Sequence, residues 1–275
     1  MASTPSFFSS RQKGIGEATV SSTFDVTAAN FEQYRTLPVG VPEAIRKAIW
    51  ESTGGRRSAM VLDLGAGSGR IGRVFVQAGD AYVGVDFSLP MLREFHARHS
   101  AAFLLQADGG RLPFADGSFE LVLLMQVLSG THNWRNLLCE TARVIVPGGF
   151  VVVGQTVTPQ AGVDAQMKRQ LSVILKEMGV AKHDSKKSRD ESLEWLRTGS
   201  SQRMQVIAAS WTALRTPQEF LERHHSAARF SSLPAAAQEE ALQKMSAWAR
   251  KTWGSLDKVF TEKHNFELHV FKIGN

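Results

Sequence analysis

The chain has a single cysteine among 275 residues, so no disulfide can form within it and no disulfide framework organises it. That residue, Cys139, sits in the amphipathic stretch Leu137-Leu-Cys-Glu-Thr-Ala-Arg-Val144, where we expect it to fill core rather than act as a nucleophile. No apolar run approaches the ~20 residues that cross a bilayer. Met1–Ser22 is rich in serine and threonine and lacks the apolar centre of a secretion signal, so residues 1–24 read as a flexible arm, and the expected location is the cytoplasm with no membrane partner. No set of His, Cys and carboxylate residues has ligand spacing, so no metal is expected. There is no internal repeat. Hydrophobic residues make up 43% of the chain, enough for one substantial core.

Charge argues in the same direction. The net charge is +6, but residues 1–160 hold 14 basic and 13 acidic residues (+1), and residues 161–275 hold 18 and 13 (+5). The one tight cluster, Lys182-His-Asp-Ser-Lys186-Lys187-Ser-Arg189, contains no aromatic side chain on which bases could stack. It joins two expected helices and reads as a solvated loop, so a nucleic-acid partner is not expected. The same charge can steer an anionic substrate.

What is present is more telling. Ala59-Met-Val-Leu-Asp-Leu-Gly65-Ala-Gly67-Ser-Gly69-Arg70 is an apolar run broken by alternate glycines, followed by helical apolar spacing from Arg70 to Ala78. Glycines there permit positive φ and remove Cβ atoms, so a ligand can lie on the backbone of a strand–turn–helix corner. Gly67-Ser-Gly69-Arg-Ile-Gly72 also matches the dinucleotide pattern G-x-G-x-x-G, with Asp86 about 20 residues on. That register runs the strand through Gly65. The better register ends the strand at Leu64 and leaves Asp63 at its tip, where an acid suits a cationic or donating group and repels a pyrophosphate.

Further strands end in chemistry of the same kind. Ala81-Tyr-Val-Gly-Val-Asp86 leads into Phe87-Ser-Leu-Pro-Met91; a carboxylate there can accept both ribose hydroxyls, and Phe87 offers a flat face to a purine. Ala102–Ala107 runs into Asp108-Gly109, an acid placed to accept from an exocyclic amine. Leu112-Pro-Phe-Ala-Asp-Gly-Ser-Phe119 precedes the strand Leu121–Met125 and Gln126, and Pro147-Gly-Gly149 precedes Phe150–Gly154.

This ordered set resembles the class I S-adenosylmethionine-dependent methyltransferases, in particular the small-molecule, quinone-biosynthesis-like branch, over residues 25 to 156. The resemblance implies an α/β fold, a Rossmann-like doubly wound seven-stranded sheet with the last strand antiparallel, and helical insertions in the C-terminal part. It implies S-adenosyl-L-methionine as cofactor and S-adenosyl-L-homocysteine as product. Carried over, the glycine turn with Asp63, Gly65, Ala66, Gly67 and Gly69 holds the methionine end. Asp86, Phe87 and Met91 serve the ribose and adenine, Asp108 and Gly109 the adenine amine, and Gln126 lies at the strand-four tip. In Phe31-Glu-Gln-Tyr34-Arg35, the tyrosine and arginine resemble an element that closes over the cofactor, the arginine suiting its carboxylate.

We therefore expect residues 25–275 to be one methyltransferase domain, 25–156 the cofactor-binding core and 157–275 strands six and seven with substrate-covering helices. Strand six is expected at Gln205–Trp211 and strand seven at Phe266–Ile273. Helices are expected at Asp164–Met178, Glu191–Arg197, Pro217–Phe230 and Pro234–Trp253. The expected reaction is direct displacement onto a small-molecule O, N or C nucleophile, the alternative being an RNA or protein methyltransferase. The Asn/Asp-Pro-Pro-aromatic tetrad of planar-amine enzymes is absent at Met125-Gln126-Val127-Leu128. A general base is optional; the candidate is His132, with His224 and His225 behind it. Trp134 and Trp211 are read as pocket walls or core. The oligomeric state is not legible.

Overall fold

The structure, a computed structural model, describes residues 36–55, 58–129, 131, 133–180, 185–224, 230 and 233–274. The expected arm and Tyr34, Arg35, His132 and His225 lie outside the described residues, as does the side chain of His224. Seven strands form one sheet: β1 (Val61–Leu64), β2 (Tyr82–Asp86), β3 (Phe103–Gln106), β4 (Phe119–Met125), β5 (Ile145–Val157), β6 (Ser200–Arg215) and β7 (Phe260–Ile273). Their order is β3-β2-β1-β4-β5-β7-β6. β7 runs antiparallel to both neighbours and every other pair is parallel. The strand order reverses between β1 and β4, which opens a crevice at their carboxyl ends, where ligands bind in open sheets of this kind.

The inner strands are apolar because helices cover both faces. All four β1 residues are buried, as are six of the seven in β4. Helices α1 (Val41–Thr53), α2 (Gly72–Gln77) and α3 (Leu89–Arg98) pack on one face, where Ile45, Ile49, Phe75 and Phe95 are fully buried. Helices α4 (Trp134–Val144) and α6 (Ser185–Thr198) cover the other, with Trp134, Leu138 and Leu196 against Leu62, Leu124 and Val151. Each such fully buried side chain contributes about 1.5–3 kcal/mol relative to exposure. Pro42 at the start of α1 and left-handed Gly54 at its end mark both boundaries in sequence.

A third apolar cluster is separate from both faces. Helices α5 (Val163–Glu177), α7 (Pro217–His224) and α8 (Ala235–Trp253) pack Met167, Ile174, Phe220, Met245 and Ala249 together with Phe230. Strand register fixes where this helical unit stands. β5 ends at Val157, opposite Asn265, whereas β7 begins at Phe260 and pairs only with β6 from there. The β6–β7 ribbon therefore projects five residues, roughly 17 Å, beyond the carboxyl end of β5, and the helical unit joins the sheet at that end.

Three expectations need correction. Strand six is longer than expected at both ends and strand seven at its start: Thr-Glu-Lys-His-Asn (261–265) carries no apolar alternation, yet it is paired throughout with β6. The basic cluster is not a loop over its whole length, because α6 already begins at Ser185 and runs 14 residues. Cys139 is exposed. Helix α4 buries positions 134, 137, 138, 141 and 144, and position 139 lies about 200° round the helix from 137, on the solvent side.

Candidate active site

The glycine turn follows β1 directly. Gly65, Gly67 and Gly69 all have positive φ, at +87°, +54° and +83°, a conformation that side-chain-bearing residues rarely adopt. Their surroundings differ. A Cβ on Gly65 would collide with the Val127 side chain, and one on Gly69 with the ring of Phe95. A Cβ on Gly67 meets nothing within 4 Å. Two of the glycines thus serve packing of the protein against itself, and Gly67 alone of the three presents bare backbone to open space.

Asp86, the last residue of β2, is wired to that turn. Its carboxylate accepts from the Gly67 N–H at 2.9 Å and from the Ser88 N–H at 2.8 Å. Phe87 beside it is 41% exposed. Ala66 is buried, and its N–H donates to Val85 O at 3.0 Å, so it offers backbone rather than side chain. Asp108 is exposed after β3 and accepts from the Gly110 N–H at 2.8 Å. A Cβ on Gly109 would press on Leu64 and Leu137 at 3.3 Å, so that glycine is explained by packing. Met91 is 3% exposed and belongs to the buried face of α3.

Gln126, at the end of β4, has φ +62° and is the one non-glycine residue with positive φ among the described residues. Its side chain accepts from Arg70 at 3.0 Å and donates to the Thr156 hydroxyl at 2.7 Å. It thus ties the glycine turn to the exits of β4 and β5. The Leu112–Ser118 loop is held from α4. Glu140 accepts the Leu112 N–H at 2.7 Å, and Arg143 donates to Leu112 O at 3.0 Å and Phe114 O at 2.7 Å.

Asp63 departs from its expected place at an open strand tip. It lies one residue inside β1, is 2% exposed, and accepts from the Tyr82 hydroxyl at 2.7 Å, while its Oδ1 has no hydrogen-bond partner. Burial pushes its carboxyl up to about 7; the Tyr82 hydrogen bond pulls the other way and the charge of Asp86 adds to the rise. Burial also drives the Tyr82 phenol well above its ordinary range, with Asp63 reinforcing it.

Polar residues also converge where the helical unit meets the ribbon. Asp164, in the first turn of α5, pairs with Arg223 of α7 at 2.6 Å and lies 3.6 Å from Arg215 at the end of β6. Glu262 of β7 accepts from the Asp164 N–H at 3.4 Å and lies 3.2 Å from His264 Nε2. Burial works against the Asp164 charge, but Arg223 and Arg215 outweigh it and hold the carboxyl below its usual range. Burial, with Arg215 nearby, depresses His264. Trp211 stacks on His264 with centroids 5.7 Å apart, whereas Trp134 is 4% exposed and is core.

The expected residues thus stand at the carboxyl ends of β1 to β4, with Gly67 bonded to Asp86 and Gln126 to Arg70, while Asp63 and Met91 are buried. Arg70, Tyr82, Ser88 and Thr156 were not singled out in sequence. Their partners lie far along the chain or in a turn, and no local pattern announces them. Among the described residues no group of three or more His, Cys, Asp or Glu could hold a metal, and no helix is long and apolar enough to cross a membrane.

Residues 62–153 match the protein family described as "Methyltransferase domain". The matched stretch runs from β1 into β5 and makes up about a third of the chain. A demethylmenaquinone methyltransferase of Streptomyces griseus subsp. griseus is 36% identical over 135 residues, 49% of this chain and 59% of that protein. A malonyl-[acyl-carrier protein] O-methyltransferase of Salmonella typhimurium is 30% identical over 137 residues, 50% of this chain and 53% of that protein. The match spans less than two thirds of the length of either relative. The solved YcgJ protein of Bacillus subtilis superposes with a TM-score of 0.53 at 18% identity, over 84% of this chain and 99% of its own. A Haemonchus contortus phosphoethanolamine N-methyltransferase, solved with phosphomonomethylethanolamine and S-adenosylhomocysteine, gives 0.50 at 16% over 91% and 58%. At these identities the two structures speak for the methyltransferase fold alone.

Proposed function

We propose that this chain transfers a methyl group from S-adenosyl-L-methionine to a small-molecule acceptor, releasing S-adenosyl-L-homocysteine. The observation that carries the reading is the joined pair of Gly67 and Asp86: bare backbone facing open space, bonded to an acid flanked by an exposed phenyl ring. A cradle of that kind fits a nucleoside with an amino-acid tail. The Gly67 backbone carries the tail, Asp86 accepts the ribose hydroxyls, Phe87 covers one face of the adenine, and Asp108 accepts from its amine. An ionised carboxylate can accept about four hydrogen bonds, so Asp86 can hold the turn and the ribose together.

When bound, S-adenosylmethionine supplies an electrophilic methyl group on a positively charged sulfur. This chain's residues then have to align the acceptor with that group and keep water away. Gln126, clamped by Arg70 and Thr156, forms the polar border of the crevice toward the acceptor side. The helical unit of α5, α7 and α8 roofs that end of the sheet. Tyr34, Arg35 and His132 remain part of this reading as cofactor closure and as a proton acceptor for acceptors that need one. We take residues 25–156 as the cofactor core and 157–275 as the acceptor side. The acceptor class nearest to hand is a quinol, in keeping with relatives named for demethylmenaquinone. A carrier-protein-bound acyl group is the second reading, favoured by the relative named for malonyl-[acyl-carrier protein] and by the basic C-terminal part.

Isothermal titration with S-adenosylhomocysteine tests the cofactor, with micromolar-range affinity expected, about 8 kcal/mol, and no competition from NAD. Equal affinity for NAD overturns the reading. A screen of quinols and acyl-carrier-protein esters with labelled S-adenosylmethionine then assigns the acceptor.

A further inference from the structure

Asp63 is an acid that the fold leaves half-satisfied. It is buried directly before the glycine turn with one hydrogen bond, from Tyr82, and with Oδ1 unpartnered. Among the described residues, the charge that acts on it is the negative one of Asp86. β4 contributes the backbone of Leu123 alongside it, and α2 contributes Gly72, where a Cβ would lie 2.9 Å from Asp63 Oδ2 and collide with the Tyr82 hydroxyl. β2 contributes Tyr82 and, at its end, Asp86, whose negative charge disfavours ionisation of Asp63. An ionised carboxylate so placed is expensive, and the cheaper state without a ligand is the neutral acid.

A cation settling on the turn above reverses that balance, because charges interact strongly across a buried layer that water does not screen. We propose that Asp63 releases its proton to solvent when the ammonium group at the methionine end of the cofactor binds at the glycine turn, so that cofactor affinity is coupled to pH through this one carboxyl. The inference rests on the methyltransferase reading. The step breaks the carboxyl O–H bond and hands the proton to the buffer; the ligand gains and loses no atoms. Burial already brings the group to about 7, which puts the coupling in the neutral range.

The test is calorimetric and needs no methyl acceptor. S-Adenosylhomocysteine, which carries the same ammonium, is titrated into the full chain at pH 7 in phosphate and in Tris, whose ionisation enthalpies differ. The expected result is net release of a fraction of a proton, with affinity rising from pH 5.5 toward 7 by up to about tenfold per unit and levelling off above that. Asp63→Asn should bind with that release lost and a flat pH profile. Tyr82→Phe removes the hydrogen bond that favours ionisation and should move the window to higher pH. Equal heats in both buffers, or undiminished release by the asparagine variant, overturn the proposal. If the asparagine variant does not fold, an unshifted window in Tyr82→Phe overturns it instead. Absence of any binding by the wild-type chain overturns the cofactor reading and this inference with it, whereas binding without proton exchange overturns this inference alone.

Discussion

The Gly67 N–H donates to the Asp86 carboxylate across 19 residues of sequence at 2.9 Å. The bond makes one unit of the turn after β1 and the acid ending β2, two features that read in sequence as separate motifs. A substitution at either residue therefore changes both the shape of the cradle and its charge.

For Asp86→Ala, S-adenosylhomocysteine affinity is expected to fall by roughly 1–3 kcal/mol, the loss typical of a charged hydrogen-bond partner, because the ribose loses its acceptor and the turn its anchor. Asp86→Asn keeps one acceptor oxygen and should lose less. Titration calorimetry on the three proteins checks the order; an alanine variant with unchanged affinity shows that Asp86 faces no ligand.

The glycines should separate folding from binding. Gly67→Val adds a side chain in open space, costing about 1–2 kcal/mol of left-handed backbone strain while filling the cradle. We expect a folded protein that does not bind S-adenosylhomocysteine. Gly69→Val drives its Cβ into the Phe95 ring, deep in the α1–α3 core, so a loss of folding is expected. Circular dichroism melts alongside titration distinguish them, and normal binding by folded Gly67→Val contradicts the cradle.

Much of this site is legible in the sequence because each piece is a strand ending in a turn. The apolar runs into Leu64, Asp86, Gln106 and Met125 end where β1 to β4 end, and the motif residues follow at once. What the sequence hides is orientation. Asp63 reads as a strand-tip ligand, but its side chain lies within the core, paired with a tyrosine 19 residues on by register alone. Cys139 reads as core because its neighbours are apolar, although the helix turns it to solvent. The extra length of β6 and β7 is invisible for a different reason. The ribbon stands clear of the β5 edge, and its Thr-Glu-Lys-His-Asn segment is held by backbone pairing with β6, by the Asp164 N–H donating to Glu262 and by Trp211 stacked on His264, not by alternating apolar side chains.

Stability should respond to pH through Asp63. Its folded-state carboxyl, at about 7, lies above its ordinary value of 3.8, so the folded protein holds the proton more tightly than the unfolded chain. The contribution is fully present below about pH 4, declines as pH rises from there to 7, and stays lost above. Its size is at most about 4 kcal/mol. Asp63→Asn keeps an acceptor for the Tyr82 hydroxyl and has no charge to bury, so it should flatten this part of the profile and match or exceed the wild type at pH 8. Urea midpoints from pH 5 to 8.5 decide it; an asparagine variant that is less stable than wild type at pH 8 contradicts the assignment.

The helical unit has a core of its own and joins the sheet through the Asp164 charges and through Phe260 of β7 against Trp253, so removing the charges should loosen it. Asp164 holds Arg223 and faces Arg215, whose side chains are 22% and 27% exposed. Removing a buried acid from a paired cation costs 3–5 kcal/mol; here the arginines keep some water, and about 2–3 kcal/mol is the fitting expectation for Asp164→Ala. The loss should be local. Met167, Phe220 and Met245 still pack on one another, while the proposed cofactor site lies at the exits of β1 to β4. Hydrogen exchange is expected to quicken in α5, α7 and α8 and at the Phe260–His264 end of β7, with the central strands unchanged and S-adenosylhomocysteine affinity within a few-fold of wild type. Methyl transfer should fall with the loosened roof, since water then reaches the acceptor side. Deleting residues 217–253 is the harsher version, and it strips the apolar face of α5 of its partners, so aggregation is expected unless that face is made polar. Uniform loss of protection across the whole sheet in Asp164→Ala shows that the unit is integral to the fold, and undiminished methyl transfer despite faster exchange shows that it is not a roof.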